Sequence, residues 1–150
     1  MDRKEFLKAC GLSCLGVLGL AGALQSCGTT YYASSSIQGN RLVIARKEFE
    51  MLQDNAVHYR NYIVSKVDSI DYPIIVYRNS DNSYTALLLR CSHQGAELSV
   101  NGDMLTCSAH GSEFGKNGEV TQGPAEQQLT TFRVQTDAQN IYIQLLVLVR

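Results

Sequence analysis

Between Cys91 and Phe114 the chain reads CSHQGAELSVNGDMLTCSAHGSEF, a stretch that pairs two thiols with two imidazoles. Cys91-Ser92-His93 has the form C-x-H and Cys107-Ser108-Ala109-His110 the form C-x-x-H, with 13 residues between His93 and Cys107. Within each pair the two side chains can reach one metal centre. The intervening residues contain Asn101-Gly102, a dipeptide that strongly favours a tight hairpin turn. A hairpin between Leu98-Ser99-Val100 and Met104-Leu105-Thr106 would place the two ligand loops at its two ends, side by side. Cys₂His₂ sets suit a tetrahedral zinc ion as well as an iron–sulfur centre, so ligand type alone leaves both open.

The neighbours of the four ligands narrow the choice. Gly95 follows His93 by two residues and Gly111 follows His110 directly, which lets the backbone turn tightly and aim N–H groups inward, as inorganic sulfides require. Ser112 adds a hydroxyl within reach of a sulfur. Gly123-Pro124-Ala125 offers a stiff turn able to close over a cofactor. Together CSHQGAEL, CSAHGSEF and GPA resemble the first cluster loop, the second cluster loop and the proline loop of Rieske [2Fe–2S] proteins. The likeness extends over about residues 40–147, with its specificity in the three loops.

That resemblance implies an all-β fold of stacked antiparallel sheets with a cluster-binding subdomain. It implies one [2Fe–2S] cluster per chain, with Cys91 and Cys107 on one iron and His93 and His110 on the other, solvent-facing iron. Ser112 would tune the potential by a bond to a cluster sulfur. High-potential members in cytochrome bc complexes carry a further cysteine in each cluster loop, joined as a disulfide; here Ala96 and Ala109 stand at those positions. Those members also have a tyrosine where this chain has Phe114, whose missing hydroxyl removes a donor to a ligand sulfur. The implied function is one-electron transfer with a redox partner protein or a quinone-linked complex. A structural zinc domain or a non-redox interaction module is the competing reading. An oxygenase would need a second iron held by two more histidines, and only His58 lies outside the loops. As a lone histidine at a strand start, His58 reads as a surface residue. Glu97 and Glu113 place negative charge in the ligand loops.

At 150 residues the chain has room for one domain. A formal net charge of −1 argues against a nucleic-acid partner, which would demand a basic face. Residues 1–26 read as an export signal. Arg3, Lys4 and Lys8 form its basic start, and Gly11 to Leu24 form an apolar run of about 14 residues, short of the roughly 20 needed to span a bilayer. Leu24-Gln25-Ser26-Cys27 resembles a bacterial lipoprotein cleavage box, which implies that Cys27 becomes the lipidated first residue, anchored on the periplasmic side of the envelope. An uncleaved anchor helix or a buried N-terminal helix is the alternative. Asp2 to Lys8 resembles a twin-arginine export motif with Lys4 in place of the second arginine. Of the five cysteines, Cys10 and Cys14 fall at the edge of and within the N-terminal apolar run, Cys27 ends it and Cys91 and Cys107 lie in the cluster loops, so none remains for a structural disulfide.

Residues 27–39 are small and polar apart from Tyr31 and Tyr32, which suits a tether from lipid to domain. The tyrosines could rest at the membrane or pack on the domain. From Asn40 to Arg150 the pattern is that of strands. Arg41–Ala45, Tyr59–Val64, Pro73–Tyr77, Tyr84–Leu89, Leu129–Val134 and Asn140–Leu148 are β-favouring runs. Turns are expected at Asn79–Asn82 and at Lys116–Gly118, and one brief helical turn within Glu48–Asn55. The last run, IYIQLLVLV, reads as a buried closing strand.

Overall fold

The computed structural model describes residues 30–145, so the export signal, Cys27 and residues 146–150 lie outside the described residues. The strands are β1 (Ser35–Gln38), β2 (Arg41–Ala45), β3 (Glu50–Gln53), β4 (Ala56–Tyr59), β5 (Tyr62–Ser65), β6 (Ile74–Arg78), β7 (Tyr84–Leu88), β8 (Ser99–Asn101), β9 (Met104–Thr106), β10 (Glu113–Gly115), β11 (Val120–Gln122), β12 (Thr131–Thr136) and β13 (Asn140–Gln144). They form a seven-stranded sheet in the order β1-β2-β13-β12-β7-β6-β5, a four-stranded sheet in the order β11-β10-β9-β8, and the separate β3–β4 pair.

The large sheet curls until its edges meet. Ala33 N–H donates to the Val64 carbonyl at 2.8 Å and Val64 N–H to the Tyr31 carbonyl at 2.9 Å, while the hydroxyls of Ser35 and Ser65 lie 2.7 Å apart. The residues leading into β1 thus pair with β5 and cover strand edges that would otherwise offer themselves to another chain. Inside the curl, Leu42, Ile44, Ile63, Val76, Ala86, Phe132, Ile141 and Ile143 form one core. The outward faces of β5, β6 and β7 carry a second core, in which Val64, Ile75, Tyr77 and Leu87 meet Leu105, Phe114 and Leu129 from the smaller sheet and its loops. These strands are therefore buried on both faces, which is why PIIVY and TALLL read as continuous apolar runs instead of alternating ones.

Several expectations shift at their edges. The helical turn expected within Glu48–Asn55 is a 3-10 turn at Arg46–Phe49, after which the chain enters the β3–β4 hairpin. Asp54 and Asn55 turn that hairpin at φ +53° and +60°, the left-handed backbone that Asp and Asn tolerate best among non-glycine residues. The expected strand Tyr59–Val64 is broken at Arg60-Asn61, where the Arg60 N–H turns back to the Phe49 carbonyl at 2.7 Å. Residues 30–39, expected as part of the tether, are drawn into the folded unit, with Ser35–Gln38 as β1. The closing strand runs to Gln144, Leu145 follows it buried in the core, and residues 146–148 of its expected length lie outside the described residues. No helix among the described residues is long and apolar enough to cross a membrane.

Candidate metal centre

The smaller sheet turns the four candidate ligands into one site. The hairpin of β8 and β9 pairs Ser99 with Thr106, Val100 with Leu105 and Asn101 with Met104 around Gly102, which takes φ +62°. The Tyr77 hydroxyl donates to the Gly102 carbonyl at 3.0 Å and pins this turn to the large sheet. Burial, with the nearby Asp103 carboxylate, holds the Tyr77 hydroxyl protonated well above the ordinary tyrosine range. At the other end of the hairpin, Cys91 precedes β8 and Cys107 follows β9.

Each cysteine opens a loop closed by the same two backbone bonds. Cys91 N–H donates to the Ala96 carbonyl at 2.8 Å and Gly95 N–H returns to the Cys91 carbonyl at 2.9 Å. Cys107 N–H donates to the Ser112 carbonyl at 2.8 Å and Gly111 N–H to the Cys107 carbonyl at 2.9 Å. Gly95 and Gly111 take φ +78° and +79°, where a Cβ would be strained. Both thiols are buried and free of any disulfide. Burial pushes the Cys107 thiol up, but the Ala109 and His110 N–H groups and the Cys91 side chain outweigh it and hold Cys107 below its ordinary value. A thiolate-favouring pocket lined by N–H donors is what a metal–sulfur centre needs.

The imidazoles complete the donor set. His93 and His110 stand edge to face, with ring centroids 5.0 Å apart. His110 is exposed and His93 half-buried, yet Nδ1 of His93 is buried and has no hydrogen-bond partner. An orphaned buried imidazole nitrogen is costly unless something binds it. The donors are arranged as a buried sulfur pair and an outer nitrogen pair, an arrangement that suits a centre with two metal ions.

A third segment closes the site. Residues 123–129 pass over both loops, with a cis peptide at Gly123-Pro124. The fully buried Ser112 Oγ accepts from Ala125 N–H at 3.0 Å. Its own proton is committed to no acceptor among the described residues. Phe114, also fully buried, packs in the same cluster as Cys91 and Cys107. Of the loop carboxylates, Glu97 is exposed and Glu113 half-buried. His58 lies exposed on β4.

Three supports were not legible beforehand. Ser92 Oγ donates to the Gln127 carbonyl at 2.5 Å, and Gln122 Nε2 to the Gly111 carbonyl at 2.9 Å. The Arg90 guanidinium lies against Gly95, near enough that an added Cβ would stand 3.1 Å from it. Each joins residues whose pairing depends on the fold, so no local motif announces it.

A family model described as the Rieske [2Fe-2S] domain matches residues 30–133. No curated protein sequence gives a significant match. Among solved structures, the chain is similar to the cyanobacterial plasma membrane Rieske protein PetC3 from Synechocystis PCC 6803, at 26% identity and TM-score 0.48, over 55% of this chain and 85% of that one. It is also similar to a naphthalene 1,2-dioxygenase, at 30% identity and TM-score 0.46, over 55% of this chain and 22% of that one. A third likeness is to the quaternary ammonium Rieske monooxygenase CntA, at 21% identity and TM-score 0.51, over 69% of this chain and 31% of that one. The chain thus spans under a third of either oxygenase.

Proposed function

Because the chain belongs to the Rieske [2Fe–2S] domain family, whose members bind that cluster and transfer electrons, we propose that it is an envelope-anchored one-electron carrier or the electron-transfer subunit of an oxidoreductase. Cys91 and Cys107 would hold one iron through sulfur, and His93 and His110 would hold the other through nitrogen. The observation that carries this assignment is the split of the donors into a buried thiol pair and an outer imidazole pair, with a buried His93 Nδ1 otherwise unpartnered.

When bound, the cluster takes up and releases one electron. The chain supplies the rest. The thiols and the covering segment from Gly123 keep water from the inner side. The loop N–H groups and Ser112 present donors to sulfur and so favour the more negative, reduced form. The two imidazoles form the exposed edge against which a redox partner docks, identity unassigned. Cys27 carries the lipid that holds the domain to the membrane on the periplasmic side, after removal of residues 1–26.

Purified protein should be brown and contain iron and acid-labile sulfide at about two each per chain, as the cluster's composition requires. Zinc without sulfide would replace this reading with a structural metal domain. The anchor is tested separately by mass spectrometry of the mature N-terminus: diacylated Cys27 is expected, and an intact Met1 or an unmodified Cys27 in membrane-extracted protein rejects it.

A further inference from the structure

Among the described residues β3 and β4 pair with no other strand. A lone two-stranded hairpin is marginal, and this one is fixed only at its root. Arg60 donates through its backbone to Phe49 and through its guanidinium to the carbonyls of Glu48 and Glu50. The Tyr31 ring lies 3.8 Å from that guanidinium, and its hydroxyl donates to Glu48 Oε2 at 2.9 Å. Beyond the root the strands project. The register sets Leu52 opposite Val57 and Glu50 opposite Tyr59, so Glu50 shares a face with Leu52, Val57 and Tyr59. The last three are 84%, 51% and 49% exposed. Leaving Leu52 and Val57 in water is unfavourable unless something covers them.

The course of the chain identifies the cover. Tyr31, clamped at the hairpin root, is four residues after Cys27, a stretch that reaches at most about 14 Å. The four-residue strands of the hairpin reach about 13 Å from the root. A lipid on Cys27 and the aliphatic pair Leu52 and Val57, just behind the polar Asp54-Asn55 turn, are therefore within reach of one bilayer surface. We propose that the β3–β4 hairpin is a second membrane contact, with Leu52 and Val57 at the boundary between headgroups and acyl chains. This rests on the reading of Cys27 as the lipid attachment point.

The physics sets both depth and strength. The outer edges of the hairpin carry unpaired backbone groups, which keep it out of the hydrocarbon core. Tyr59 and the 59% exposed Tyr32 suit the interface. Two aliphatic side chains bind a bilayer weakly on their own, but tethering by the lipid raises their effective concentration to the point where a weak contact holds. The contact also orients the domain. Phe49 at the root packs on Tyr84, ring centroids 5.3 Å apart, and Cys91 lies seven residues further along the chain, on the order of 20 Å when extended. Seated at the Tyr84 end of β7, the contact leaves the imidazole edge beyond the other end of that strand free for a redox partner.

The chain has no tryptophan, so Leu52→Trp or Val57→Trp installs a single reporter. The cluster-loaded, lipidated full chain is reconstituted in phosphatidylcholine vesicles with brominated acyl chains, with Met104→Trp as the reference on the other sheet. A blue shift and bromine quenching at positions 52 and 57, absent at 104, support the contact. Unshifted emission at 52 and 57 in protein that still co-sediments with vesicles overturns it and leaves the anchor standing. Protein that does not co-sediment loses both. A blue shift without vesicles that grows with protein concentration assigns the face to a second copy of the chain and also overturns the proposal.

Discussion

Residues 91–96 and 107–112 are two copies of one backbone device. In both, the cysteine N–H reaches the carbonyl five residues on and the glycine four residues on returns a bond. What packs on them differs. The first loop is buttressed by a side chain, with the Arg90 guanidinium against Gly95, and its position after glycine is Ala96. The second leaves open space beside Gly111, and its position after glycine is Ser112, buried and bonded to Ala125 N–H. The histidine falls two residues after Cys91 and three after Cys107. One backbone geometry thus serves two purposes. On the proposed reading, ligand placement would need only the repeated turn, whereas adjustment of the cluster's potential would draw on Ser112, which only the second loop carries.

If the loops are equal partners in ligation, Cys91→Ser and Cys107→Ser, like His93→Ala and His110→Ala, should each abolish the normal cluster spectrum. Visible absorption and electron paramagnetic resonance of the purified variants check this. Retention of the spectrum in any one would break the symmetry.

Stability comes next in size. Gly111→Ala should cost about 1–2 kcal/mol for the left-handed backbone alone. Gly95→Ala should cost up to about 1 kcal/mol more, because its Cβ must also move Arg90. In denaturant titrations of the loaded protein, Arg90→Ala should erase that excess; equal costs in the unmodified background would mean Arg90 does not buttress the loop.

Smaller effects fall on the potential. The wild type should lie in the lower half of the Rieske range of about −150 to +300 mV. One hydrogen bond to sulfur of about 1 kcal/mol converts to roughly 40 mV for one electron. Ser112→Ala should therefore lower the potential by tens of millivolts and Phe114→Tyr raise it, while Ala96→Ser in the first loop leaves it unchanged. Protein-film voltammetry decides, and a shift in Ala96→Ser as large as that in Ser112→Ala would end the distinction between the loops.

The smallest effect concerns the cover. Ser92→Ala removes one exposed hydrogen bond to Gln127 and should cost about 0.5 kcal/mol without altering the potential. A change in potential beyond the scatter of repeat measurements would show that the first loop also tunes the cluster through the segment above it.

Much of this was legible in the chain because the signals are local. The C-x-H and C-x-x-H spacings, the two following glycines and Asn101-Gly102 each act over a few residues, where backbone sterics decide conformation almost alone. The central runs PIIVY and TALLL were legible as strands for a similar reason, since β-branched and aromatic side chains fit a pleated sheet. Local propensity misled at Glu48–Asn55, where Glu, Met, Leu and Gln are all good helix formers. The clamp of Arg60 on Phe49, Glu48 and Glu50 and the left-handed Asp54-Asn55 turn made that stretch a hairpin instead. Likewise β1 was read as tether, because Ser35–Gln38 has little strand propensity of its own and is held by its register with β2.

Taken by itself, the sequence determined the family, the all-β class, the cofactor and the four side chains proposed to hold it, because those depend on residue identity at short spacing. Only the tertiary structure decided that Nδ1 of His93 is buried without a partner, that Ser112 is bonded under Ala125, that Arg90 braces Gly95, and that Leu52 and Val57 stand exposed on a free hairpin. Each of these joins or separates residues through burial and long-range pairing, and such contacts form only once the whole chain has closed its loops.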